Sequence, residues 1–448
     1  MNYFRLVTVV AMLGLLPLAV AAKDFDVLDF GAKGDGQSLD TAAIQRAIDA
    51  AATNNGRVVI PHWKKFLTGS LQLKSGIDFH ISGELIISTN PADYSGDAVI
   101  TAANTTGLRI TGGGKISGRS LEFMTSFDAE HDLWLFSDWR PAMFKLTGCR
   151  DLVVRDITIE DAPSPGLQLL RCDNVLLYNL TVKNRLDVPD TDAIIADHSR
   201  YVGINNCDLA CGDDAIVIKS TRQTNELGEC ANIHVQDCKI QTQSAGLKIG
   251  AETTGNIHDI TFDRCQIISS GRGLCIQLRD EGEISDVTFR DIRLASRYHA
   301  DWWWGRGEAI SFTAYPRDAG TKIGKLHDVL VQNVSGRAEN SVRINGSTNS
   351  LIRNVRLDNV GFVFTRWSKY PGAVYDNRPT RTHVPLEPHV MDAFNLRFAE
   401  NVTLSQCSAI WVTNSPDYYR DSVGTEDSKA VKIIGFRGES ESHPIDLR

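Results

Sequence analysis

The chain has 448 residues, more than one ordinary compact domain, yet its composition is that of a globular protein, with 42% apolar and 23% charged residues, 36 glycines and 14 prolines. No low-complexity tract, linker or long charge run divides it, which excludes disorder and a collagen-like fold. The net charge of −8 comes without a basic patch, which argues against nucleic acid as a partner.

The first 22 residues, MNYFRLVTVVAMLGLLPLAVAA, place Arg5 ahead of an apolar run and end on an Ala19-Val20-Ala21 cleavage pattern. They predict a secretory signal peptide over 1–22, leaving a soluble exported protein over 23–448. Pro17 falls too early for a membrane anchor, and no later run is long enough to span a bilayer. The next element is helical: after Asp40, TAAIQRAIDAAA puts Ile44, Ala47, Ile48 and Ala51 on one stripe, with Asp40 as the N-cap.

From Cys149 onward a nine-residue pattern returns. Cys149-RDLVVRD-Ile157 is followed by copies starting at Cys172, Ser199, Cys230, Ile257, Ile284, Leu326, Ile352 and Ala399. The fourth place is Leu, Val or Ile, the sixth is aliphatic or Phe, and the ninth is apolar. The third and eighth are mostly Asn or Asp, residues that suit turns and left-handed backbone. Apolar alternation at a fixed phase means a strand with one buried face. A period mostly in the twenties with one such strand per turn predicts a solenoid. Leucine-rich repeats would need a different frame, so the expected fold is all-β, a right-handed parallel β-helix in a single domain. The helix after Asp40 then caps the open edge of its first rung. Cysteines at the first and ninth places become stacked, buried hydrophobes in preference to a disulfide framework. Cys211 and Cys275 stand outside those columns and are left paired or free. Five sequons, at Asn104, Asn179, Asn333, Asn345 and Asn401, do not narrow the function.

Two long gaps break the period. One carries Asp301-WWWGRGEAI and the other runs from Arg366 to His389. Trp302, Trp303 and Trp304 cannot all be buried in extended chain; a sugar-stacking face and a hydrophobic plug both fit them. The acids cluster in DVPDTDAIIADHSRYVGINNCDLACGDDAIVIKS: Asp190, Asp192, Asp213 and Asp214. Asp192 and Asp213 lie about one solenoid turn apart, and rungs are spaced roughly 4.8 Å, so they become neighbours. Gly212 permits a bulge that aims Asp213 and Asp214 outward together. Crowded carboxylates raise one another's proton affinity, supplying an acid and a base in one cleft. An inverting glycosidase needs such a pair, roughly 6.5–9.5 Å apart; a turn ladder or a calcium site uses the same residue types.

With these residues in view the chain resembles glycoside hydrolase family 28, the polygalacturonase and rhamnogalacturonase group, over nearly its full mature length. The likeness begins at Phe25-DVLDFGAKGDG, passes through Leu73-KSGIDFHISG, and centres on DTDA at 190–193 and on GDDAIVIKS. It implies Asp213 as general acid, with Asp192 and Asp214 activating water and inverting the anomeric carbon, without metal or cofactor. The chain departs from the family where Ala245 replaces a histidine, and where Cys275 and Gln277 replace an Arg/Lys pair that grips a galacturonate carboxylate. Lys248 and Arg279 are candidate replacements, with a solvated surface charge as the alternative for each. Asp190, Trp303, Trp304 and Arg306 complete the expected substrate-binding set. The expected partner is a pectin-type polysaccharide or oligosaccharide, cut with non-standard specificity or from a chain end. A β-helix lyase or epimerase and a non-catalytic glycan-binding solenoid are the rival functions.

Overall fold

The computed structural model describes residues 23–222, 228–412, 416–438 and 445–447. The expected signal peptide at 1–22 lies outside the described residues. The chain winds into a right-handed parallel β-helix. All nine repeat strands are laid in register, one per rung. The fourth repeat place forms an unbroken column from Leu152 through Val175, Val202, Ile233, Ile260, Val287, Val329 and Val355 to Val402. The sixth place forms a second column, from Val154 to Leu404. Both point inward into one continuous apolar core that runs from Phe25 to Val423.

The third and eighth places bend the chain within each rung. In all nine repeats both adopt left-handed backbone, with φ between 48° and 59°. A side chain with a β-carbon disfavours that region, and Asn and Asp tolerate it best. Their side chains also link the rungs: Asn174 Nδ2 donates to Asp151 Oδ1 at 2.6 Å, and Asn401 Nδ2 to Asn354 Oδ1 at 2.9 Å. The sequon amides of Asn179 and Asn333 donate into the same ladders.

The N-terminal helix, α1 (Thr41–Ala52), buries Ala43, Ile44, Ala47, Ile48 and Ala51 against the first rung, as its stripe predicts. Asp40 stands at its N-terminus but does not cap it with its side chain. Its carboxylate instead accepts from the Lys33 and Gly34 amides at 2.7 and 3.1 Å, tying down the preceding loop. All nine cysteines are buried free thiols, Cys211 and Cys275 included. Among the described residues no helix is long and apolar enough to cross a membrane.

A second strip of strands forms the face that carries the site. Within it Ile194–Asp197, Ile216–Ser220, Ala245–Thr253, Arg272–Leu278, Glu308–Ala314 and Asn340–Asn345 follow one another rung by rung. Three excursions gather over it: a hairpin pairing Met124–Asp128 with Leu133–Phe136, the tryptophan loop, and the 366–389 insertion. They share a small apolar cluster of Leu133, Ala300 and Trp303, with Tyr370 packed on it, and Tyr370 Oη donates to Asp132 at 2.9 Å.

The core stacks Phe289 between Phe262 and Phe312, with centroids 4.8 and 5.6 Å away. Phe289→Ala should cost about 3–5 kcal/mol, read as a lowered unfolding midpoint. A loss below about 1 kcal/mol would contradict a close-packed stack.

Candidate functional site

The three acids meet because of register. Ile194 pairs with Ile216, and the Ala193 amide donates to the Asp214 carbonyl at 3.1 Å, so Asp192 and Asp214 occupy equivalent places on adjacent rungs. Asp213 precedes them by one residue, in the turn that leads into Ile216–Ser220. Gly212 is needed in that turn for lack of space: a β-carbon would lie 2.0 Å from the Val188 carbonyl oxygen. The Asp214 amide donates to Asp213 Oδ1 at 2.8 Å, which fixes the turn. One carboxylate oxygen from each of Asp192, Asp213 and Asp214 lies within 4.8 Å of the others. That is closer than the 6.5–9.5 Å gap expected above for an inverting pair.

The acids open into a cavity of about 440 Å³ together with Asp190, Lys219, Ser244, Lys248, Glu252, Arg378 and the three tryptophans. Asp214 is the anchored member. Its Oδ2 meets Lys248 Nζ at 2.5 Å, and its Oδ1 accepts from Ser244 Oγ at 2.9 Å and the Ala245 amide at 3.1 Å. Burial opposes its charge, but Lys248, Lys219 and these hydrogen bonds outweigh burial and hold its pKa below the ordinary value. Burial and the Asp214 charge push Asp213 up to about 6. Burial and the Asp213 charge push Asp192 well above the carboxylate range. Asp192 and Asp213 thus both hold their protons to higher pH than an ordinary carboxyl, beside an ionised Asp214.

The expected binding residues divide. Asp190 lines the cavity and is held by Arg140 Nη2 at 2.6 Å. Trp303 lines it but is largely buried, Trp304 is half-buried, and Trp302 stands 47% exposed; the segment is a turn rather than extended chain, with the Trp303 amide donating to the Ala300 carbonyl at 3.0 Å. Lys248 also lines it, buried rather than solvated, with its ammonium committed to Asp214. Arg279 does not reach the cavity. It is fully buried in the floor, donating to the Leu278 and Thr313 carbonyls, Thr313 Oγ1 and the Asn377 carbonyl. Arg306 is likewise no binding residue: its guanidinium sits inside the tryptophan loop and donates to the carbonyls of Ala300, Asp301, Trp303 and Gly305. Both arginines spend their guanidinium on backbone carbonyls of the chain itself.

Lys219, Glu252 and Arg378 were not foreseen. Lys219 is the last residue but one of the GDDAIVIKS motif, two residues beyond Val217, the residue that register places beside Lys248. That outward phase was a readable signal. Arg378 comes from the 366–389 insertion, and no local pattern links it to the acids.

The same insertion accounts for the floor. Gln277 Nε2 donates to the Arg378 carbonyl at 2.8 Å, Arg272 Nη2 to the Asp376 carbonyl at 2.9 Å, and Arg343 Nη2 to Asn377 Oδ1 at 2.6 Å. The peptide at 374–378 therefore lies on the rungs just past the acids. Cys275 and Gln277 are buried there, Gln277 beneath that peptide.

A carboxyl with a raised folded-state pKa adds stability that is complete below its unfolded pKa, about 4, and is lost as pH rises through about 6. Asp213→Asn removes that loss. Its melting temperature should exceed the wild type's at pH 7–8 and converge with it near pH 4; a difference independent of pH would contradict the burial of a proton-holding Asp213.

Comparison with known proteins places the chain's family and fold. A probable polygalacturonase of Arabidopsis thaliana is 27% identical over 234 residues, 50% of this chain and 47% of that protein. The chain spans about half the length of the curated relatives it matches. Among solved structures, a family 28 exopolygalacturonase of Yersinia enterocolitica superposes with a TM-score of 0.70 at 19% identity, covering 92% of this chain and 78% of that one. A hyperthermoactive exopolygalacturonase of Thermotoga maritima gives 0.57 at 20%, covering 76% and 87%. At these identities the likeness is one of fold. Residues 51–370, well over half the chain and spanning all three acids, match Glycosyl hydrolases family 28, and the chain belongs to that family.

Proposed function

We propose that the protein is an exported glycosidase that hydrolyses a pectin-type saccharide from a chain end. The observation that carries this reading is the trio Asp192, Asp213 and Asp214, gathered within 4.8 Å at a cavity and balanced by the buried Lys248 and the part-buried Lys219. Asp213, partly open to the cavity and protonated to about pH 6, is the general acid. It gives its proton to the glycosidic oxygen as the bond to the anomeric carbon breaks. Asp192 and Asp214 hold the attacking water, whose oxygen joins that carbon while its proton passes to the ionised Asp214. Inversion is implied by the family motifs, and the close spacing of the acids is no argument for it.

Chain-end action is supported by the peptide at 374–378 lying across the floor beyond the acids, and by the hairpin and tryptophan loop that meet over it. The two exopolygalacturonases with the same fold accord with it. Export is supported by the composition of residues 1–22. A lyase would need a neutral base to abstract a carbon-bound proton. The cavity lysines are poor candidates, because neighbouring carboxylates hold both Lys219 and Lys248 above the ordinary lysine value despite burial. A pure binding solenoid has no use for three crowded, buried acids, which oppose folding.

The test is product analysis on polygalacturonan, rhamnogalacturonan and their oligosaccharides. Saturated products should appear, with activity falling as pH rises past about 6. Asp213→Asn should lower kcat/KM by roughly 10²–10⁴-fold. Proton NMR of the first product should show the anomer opposite to the bond cleaved. Unsaturated products, or full activity in the variant, would overturn the assignment.

A further inference from the structure

We propose that the sugar ring bound against Asp213 and Asp214 is uncharged: a neutral pyranose, or a uronate carried as its methyl ester, rather than a free galacturonate. The proposal rests on the glycosidase reading above and names the substrate of that same site.

The argument is one of charge. Five carboxyl groups line the cavity (Asp190, Asp192, Asp213, Asp214 and Glu252) against three cations, Lys219, Lys248 and Arg378. Each of those cations already has a carboxylate. Lys248 Nζ lies 2.5 Å from Asp214, Lys219 Nζ lies 3.5 Å from Glu252, and Arg378 meets both oxygens of the buried Asp376 at 2.9 Å through Nε and Nη2. Arg378 also donates to the Trp303 carbonyl at 2.9 Å.

The next arginine out, Arg140, holds Asp190 and two carbonyls. The floor beyond Lys248 continues with uncharged Cys275 and Gln277. A free carboxylate entering here would face several acids and gain a counter-ion only by taking one from an existing pair. For Asp214 and Asp376 the acid left behind would be buried and uncompensated, and breaking such a pair is strongly unfavourable; Lys219, whose partner Glu252 is part-exposed, separates at lower cost. An uncharged ring meets no such penalty. Its C–H face suits the rings of Trp302 and Trp304, and its hydroxyls suit the carboxylates.

The test uses a matched pair of oligogalacturonides, one as the free acid and one methyl-esterified, with rhamnogalacturonan oligosaccharides ending in rhamnose as the neutral case. Wild-type kcat/KM is measured on each, and binding to Asp213→Asn is measured by titration calorimetry. The uncharged-ended substrates should be favoured at least tenfold in both. Glu252→Gln, which releases Lys219, should narrow that preference at least threefold by improving the free acid. Equal or better use of the free acid would overturn the proposal and leave the glycosidase reading standing. Selective binding of uncharged ends without turnover would uphold it and overturn that reading. Binding of none of these saccharides would overturn both.

Discussion

The pairing of Lys248 with Asp214 is the interaction on which the site depends. Three carboxyl groups within 4.8 Å, all at or near burial, would repel one another and resist folding unless the charge were divided. Lys248 divides it. By fixing Asp214 as the ionised member, with Ser244 and the Ala245 amide completing its hydrogen bonds, it leaves the remaining proton to Asp192 and Asp213. Lys219, on the same strand as the Asp214 turn, supplies the second counter-charge. Acid and anion are thereby assigned by position on the solenoid before any ligand arrives, which is the preorganisation that general acid chemistry requires.

That same economy explains the departures from the family pattern. The residues at the places of the carboxylate-gripping pair, Cys275 and Gln277, are floor residues buried beside a length of the chain's own peptide. Gln277 spends its amide on the Arg378 carbonyl, and Arg272 and Arg343 bond the Asp376 carbonyl and the Asn377 side chain. Gln277 thus lies beneath the insertion, whose peptide at 374–378 crosses the strands beyond the acids.

Most of the architecture was legible because a β-helix writes itself into its sequence rung by rung. The apolar fourth and sixth places and the Asn/Asp third and eighth places each answer to one local requirement, a buried column or a left-handed bend, and each recurs nine times. The acids were legible for the same reason, since two residues one turn apart must become neighbours. Arg279 and Arg306 were expected at the substrate because a charged residue near a motif carries no mark of which way it points; both turn inward to bond carbonyls of the chain itself. Arg378 was invisible because its contact with the site spans the longest insertion. Asp40 kept its place at the helix start but turned its side chain to the loop before it.

The most direct measurement of the whole account is the time course of viscosity against reducing ends released from a pectic polymer that the enzyme cleaves. A groove closed beyond the acids predicts steady release of small saturated products while viscosity stays nearly constant. A rapid fall in viscosity with few ends released would mean that long chains pass through the site, and would contradict the closed groove.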